Sequence, residues 1–128
     1  MTTNQNFHAD FRDYIQNNTL VGIKGGRERD SFLNIWMVEV DQRFFARSWN
    51  KSERSWFTEF LTSGIGQLKY GEKILDVCGR QLSANDSLQE KINLAYLKRY
   101  DQQENMFYVK GITQPEYSNY TMEFFLEH

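Results

Sequence analysis

The sequence predicts a small α+β barrel, with five or six strands joined by antiparallel hairpins and separate helices packed on them. Three observations predict it. The stretch from Ser31 to Trp56 reads as a long apolar strand, a tight turn, a second strand and a helix start. Aromatic residues make up 16% of the chain, which favours strands and a broad pocket or interface over a helical bundle. The apolar spacing switches along the chain in the order helix, strands, helix, strands, helix, strand.

The elements follow in order. Residues 5–16 carry Phe7, Phe11, Tyr14 and Ile15 at helical spacing, and Asn17-Asn18 stops that helix. A short strand is expected over Thr19–Lys24. Gly25-Gly26 then opens a charged turn, Arg27–Asp30; two glycines there serve as a simple turn or as a phosphate cradle.

Phe32–Val40 is expected as one long strand. Phe32, Trp36, Val38 and Val40 share one face and Leu33, Ile35 and Met37 the other, so both faces are buried, as in a barrel wall that also carries a helix outside. Asp41-Gln42 joins it to a second strand, although Gln42 is a poor residue for a two-residue loop. In that strand Arg43, Phe45, Arg47 and Trp49 share one face.

The loop Asn50-Lys51-Ser52 leads into a helix whose apolar face is Trp56, Phe57, Phe60 and Leu61 and whose end is Gly64. Asn50 with Glu53 forms a capping box, with Ser52 as the alternative cap. Ser63–Gly66 reads as a turn, and Gln67–Tyr70 and Lys73–Cys78 as a hairpin around Gly71-Glu72. Cys78 is expected as a buried, inert thiol. Residues 86–100 form the clearest helix, capped by Asp86 with Gln89, striped by Leu88, Ile92, Ala95 and Tyr96, and closed by Lys98 and Arg99. Residues 105–115 fit either a strand or a helical turn, and Tyr117–Phe125 alternates as a closing strand.

Composition bounds the function. With 128 residues and one proline, a single domain over 1–125 is expected, with 126–128 an expression-tag remnant. A net charge of −2 with mixed signs argues against a nucleic-acid partner. No apolar run approaches membrane-spanning length, and the first residues lack a signal-peptide core, so a soluble cytoplasmic protein is the expectation. One cysteine and two histidines, His8 and His128, supply no metal-ligand spacing and no Ser–His–Asp set, and neither a P-loop nor a dinucleotide fingerprint is present. Chemistry on such a chain would come from an organic cofactor. The one constellation suited to hold it is basic: Arg47, Lys51, Arg54, Ser52 and Ser55 converge in sequence on a helix start, where free N–H groups favour an anion such as phosphate. The alternative is an ordinary capped helix with solvated charges.

The ordered set Ile35-Trp36-Met37-Val38, Phe45-Ala46-Arg47-Ser48, Trp56, Gly64-Ile65-Gly66, and Ala95-Tyr96 with Arg99-Tyr100 resembles domain-of-unknown-function family 2255. Gln42, Leu97 and Arg99 depart from that pattern, standing where a glycine, an arginine and a lysine are usual. The family looks like a branch of the FMN-binding split barrels, beside pyridoxamine-phosphate-oxidase-like proteins and deazaflavin-dependent nitroreductases. The resemblance implies a six-stranded antiparallel split β-barrel with two or three packed helices. It also implies a homodimer with cofactor sites between subunits and an oxidoreductase using FMN or a deazaflavin. By the same resemblance Arg47, Ser48, Lys51 and Ser52 would hold the phosphate, and Trp49 or Trp56 would flank the ring. A non-catalytic binding or dimerisation module on the same barrel is the alternative.

Overall fold

The structure, a computed structural model, describes residues 9–18, 20–26, 31–48, 55–100 and 106–126. Seven strands form one antiparallel sheet: β1 (Val21–Gly25), β2 (Leu33–Ile35), β3 (Val38–Val40), β4 (Arg43–Arg47), β5 (Ile65–Tyr70), β6 (Lys73–Gln81) and β7 (Thr121–Leu126). Their order is β2-β1-β5-β6-β7-β4-β3. The helices are α1 (Ala9–Asn17), α2 (Trp56–Ser63), α3 (Leu88–Arg99) and α4 (Met106–Ile112), followed by a 3₁₀ helix over Pro115–Tyr120. The sheet curls into a half-barrel, and its two end strands, β2 and β3, belong to one run of eight residues.

That run is where the strand count departs from the six expected. The single strand expected over Phe32–Val40 is broken at Trp36-Met37, because its first half pairs with β1 and its second half with β4. The face assignment is kept through the break. Met37 joins one apolar core with Phe44, Ala46, Met122 and Phe124, while Val38, Val40 and Phe45 join another with Ile92, Tyr96 and Tyr100 of α3. The sheet is thus apolar on both sides, with α1 and α2 contributing to the first core and α3 and α4 to the second.

Local chemistry explains most of the elements. The β3–β4 hairpin forms although neither turn residue is glycine: Asp41 and Gln42 both adopt positive φ, 53° and 66°. This is the backbone a two-residue hairpin demands, at a cost of roughly 1–2 kcal/mol per residue that flanking strand pairing offsets. Helix α2 starts later than expected, at Trp56. Its cap is Ser55, whose hydroxyl accepts the Thr58 N–H at 3.2 Å; Asn50, Ser52 and Glu53 lie outside the described residues. Gly64 ends it in the left-handed conformation, φ 77°. Phe60 packs where Gly66 and Gly79 leave bare backbone, and a Cβ at either glycine would overlap its ring.

Other boundaries shift. Gly25 ends β1 instead of opening the turn, and Gly66 lies inside β5. Strand β6 runs past Cys78, which is half-buried, not buried. The ambiguous segment is helical in α4, and the 3₁₀ helix delays β7 to Thr121. Leu126 ends β7 opposite Val77. The capping box of α3 is half made: the Asp86 carboxylate accepts the Leu88 N–H at 2.9 Å, but the Gln89 side chain turns inward. No helix among the described residues is long and apolar enough to cross a membrane.

Candidate functional site

Strand alternation decides where Arg47 points. It shares a face with Phe45, so its guanidinium enters the layer between β4 and α3. There it is 2% exposed. Nε donates to the Thr121 hydroxyl at 3.1 Å, and Nη1 donates to the Ile112 carbonyl at 3.1 Å and to the Asn93 amide oxygen. Nη2 donates to the Gln89 side-chain oxygen at 2.7 Å and, more weakly, to the Gln89 carbonyl at 3.4 Å. Every donor of the fork has an oxygen, and every one of those oxygens is neutral. Burial lowers the Arg47 pKa from its ordinary value, yet arginine stays a cation. Gln89 is held in one orientation, since its amide nitrogen donates to the Ser83 and Ser118 carbonyls at 3.0 and 3.1 Å.

Two tyrosines of α3 and its C-terminus close the break between β2 and β3. The Tyr96 hydroxyl accepts the Arg47 backbone N–H at 2.9 Å and donates to the Trp36 carbonyl at 3.3 Å. The Tyr100 hydroxyl accepts the Met37 N–H at 3.2 Å and donates to the Met37 carbonyl at 3.1 Å. Backbone groups that lose a strand partner at the break therefore find a side chain instead. Burial raises the pKa of both phenols.

Above this layer lies a cleft of about 460 Å³, lined by Leu20, Leu33, Asn34, Ile35, Trp36, Arg47, Trp56, Tyr108 and Ile112. Trp36 forms a rigid wall, stacked on Tyr100 with centroids 4.2 Å apart and planes 7° from parallel. Tyr108 meets Trp36 edge-on at 6.5 Å. Leu20, Leu33 and Tyr108 are about half exposed and ring the mouth, whereas Arg47 and Trp56 are buried at the bottom. The lining holds no carboxylate, thiol or imidazole among the described residues.

Residues 15–124 match the family described as uncharacterized proteins conserved in bacteria, DUF2255. The chain belongs to this family. No curated protein matches this DUF2255 chain. A solved structure that resembles it is the conserved hypothetical protein Rv2991 of Mycobacterium tuberculosis, at 10% sequence identity. The likeness covers 94% of this chain and 79% of that one with a TM-score of 0.60, a likeness of fold.

The site of the DUF2255 chain gathers some of the expected residues and not others. Arg47 and Trp56 border one cleft. Ser48 is buried, and its N–H donates to the Tyr120 carbonyl at 3.0 Å. Trp49, Lys51 and Ser52 lie outside the described residues. The guanidinium of Arg47 was expected at the start of α2; its hydrogen bonds run instead to α3, α4 and β7, because residue 47 falls on the α3 side of the strand. Sequence reasoning missed Trp36 and Tyr108 as cleft walls and Gln89 and Asn93 as Arg47 partners. A signal existed: Gln89, Asn93, Tyr96 and Tyr100 recur at four, three and four residues and form one stripe of α3, continued to its C-cap.

Proposed function

We propose that the cleft binds a planar conjugated ring carrying an acidic group, with a flavin or deazaflavin phosphate as the leading ligand. The observation that carries this reading is a buried arginine with neutral partners only, at the bottom of an aromatic-walled cleft. A cleft of this volume suits a small molecule, and apolar walls with one convergent charge are what such sites use. Trp36 and Trp56 would flank the ring. Arg47 would contribute its field and not its hydrogen bonds, since its donors are already taken. The aromatic walls fit the ring of a flavin; a phosphate needs donors from elsewhere. Ser48, Trp49, Lys51 and Ser52 remain the residues that the family resemblance assigns to the cofactor. This reading takes the curled sheet as a split barrel of the flavin-binding kind. A bound flavin would supply hydride chemistry from its own ring, and the chain would orient it and exclude water.

The second reading is a non-catalytic binding module, favoured by a described lining without a carboxylate, thiol or imidazole. In either case a second copy would cover Leu20, Leu33 and Tyr108 at the mouth, which makes a homodimer part of the proposal. The test starts with the absorbance spectrum of the protein as purified. FMN and a deazaflavin are then titrated while tryptophan fluorescence is followed. Saturable quenching at about micromolar concentration, lost in Trp36→Leu, is expected. No saturable binding of either at about 100 μM overturns the flavin reading. Binding without reduction of the ring by a nicotinamide donor selects the non-catalytic one. Sedimentation velocity with and without flavin reads the dimer.

A further inference from the structure

A second hollow adjoins the cleft. It has about 540 Å³ and is lined by Tyr14, Leu20, Gly22, Ser31, Phe32, Asn34, Lys69 and Gly71. Leu20 and Asn34 border both hollows. The two differ in kind: the first is walled mainly by tryptophans and aliphatic chains, the second by two hydroxyl side chains, bare backbone, the Phe32 ring and Lys69.

The second hollow has one lysine in its lining, Lys69, and a second, Lys24, beside it over Phe32. Gly22 pairs with Lys69 and Lys24 with Gln67 between β1 and β5, so Lys24 and Lys69 project from the same face of the sheet. Both ammonium groups stand over the Phe32 ring, Lys24 Nζ at 4.7 Å and Lys69 Nζ at 5.8 Å from its centroid. Among the described residues no carboxylate lies within ion-pair distance of either. Gly22 keeps the space open: a Cβ there would sit 3.1 Å from the Cβ atoms of both Lys69 and Phe32.

We infer that this hollow is the subsite for the acidic tail of the cleft's ligand, holding a phosphate or carboxylate over Phe32 between Lys24 and Lys69. The inference rests on the ring-binding reading and answers what that reading leaves open, the source of donors for the acidic group. Two lysines supply up to six N–H donors on mobile stems, a set suited to a tetrahedral or planar oxyanion, whereas the fork of Arg47 is committed to the fold. The ligand class is therefore a flat ring joined by a flexible linker to a terminal oxyanion.

The experiment is an amide and indole NMR titration of the ¹⁵N-labelled chain with FMN, with riboflavin, which has the same ring and no phosphate, and with inorganic phosphate or acetate alone. FMN is expected to shift the Trp36 and Trp56 indole signals together with the Gly22 and Lys69 amides, and riboflavin the indoles alone. FMN should bind about tenfold more tightly than riboflavin. That ratio should fall to within about twofold in Lys24→Gln/Lys69→Gln and persist in Lys98→Gln, an exposed lysine of α3. Phosphate shifting Gly22 and Lys69 where acetate does not assigns a phosphate tail, and the reverse a carboxylate. If neither flavin shifts the indoles while phosphate or acetate still shifts Gly22 and Lys69, the ring reading falls and the anion subsite stands. If no anion moves those two amides, or Lys51→Gln abolishes the ratio while the double variant keeps it, the subsite is overturned.

Discussion

Arg47 presents an energetic puzzle at the residue scale. Moving a guanidinium out of water costs several kcal/mol, and no buried carboxylate among the described residues repays it. Repayment comes from hydrogen bonds to Thr121, Ile112, Asn93 and Gln89, each stronger than a neutral pair because one partner is charged. Lysine in this place keeps the charge but has three donors where arginine has five. At least two of those five hydrogen bonds are then lost, so Arg47→Lys is expected to destabilise the fold by about 2 kcal/mol, read as a lower urea midpoint at unchanged slope. An unaltered midpoint would mean that the network contributes nothing. The sequence marked Arg47 but not its partners. Gln89 and Asn93 lie 42 and 46 residues away, and only the topology brings α3 over β4. Strand alternation already placed Arg47 with Phe45, and that was enough to separate it from the start of α2 had α3 been known to cover that face.

At the scale of elements, α2 packs Trp56, Phe57 and Phe60 into the core, and Phe60 is the ring that lies against two glycines. Phe60 occupies the space that side chains at Gly66 and Gly79 would take, and its ring also meets Phe124 edge-on at 5.4 Å. A methyl group at Gly79 must displace the ring of a close-packed core. Gly79→Ala is expected to cost about 1–3 kcal/mol, and less by about 1 kcal/mol when Phe60→Leu is already in place. Equal costs in both backgrounds, measured by denaturant unfolding, would show that the ring is not what Gly79 accommodates. Helices α1, α2 and α3 were legible because their apolar spacing, and for α2 the terminal Gly64, are local signals, whereas α4 read equally as strand or helical turn. Less legible was the break in Phe32–Val40, since an unbroken apolar run gives no sign that its halves pair with different neighbours. The delayed start of β7 escaped for a related reason, as Tyr120 continues the alternation of Met122 and Phe124 while lying in a 3₁₀ helix.

Across the whole molecule, α3 fastens the two margins of the sheet where they meet. The phenols of Tyr96 and Tyr100 bond to the backbone of Arg47, Trp36 and Met37, and burial holds both pKa values above that of a free tyrosine. Their stabilisation is therefore complete below the unfolded pKa of about 10 and is lost as the pH climbs past it toward the raised folded values. The urea midpoint should fall between pH 9 and pH 11, and should fall less steeply in Tyr100→Phe. Identical slopes in the two proteins would remove Tyr100 from the alkaline transition. The sheet order carries a different consequence, for synthesis. β7 leaves the ribosome after every other strand, yet it sits between β6 and β4, with Arg47 opposite Thr121 across 74 positions of chain. Until it emerges, Phe44, Phe45 and the inner edge of β6 wait without their neighbour, open to wrong company. The nascent sheet is most exposed to aggregation just before β7 arrives, and a chaperone that shelters β4 through that interval would protect it best.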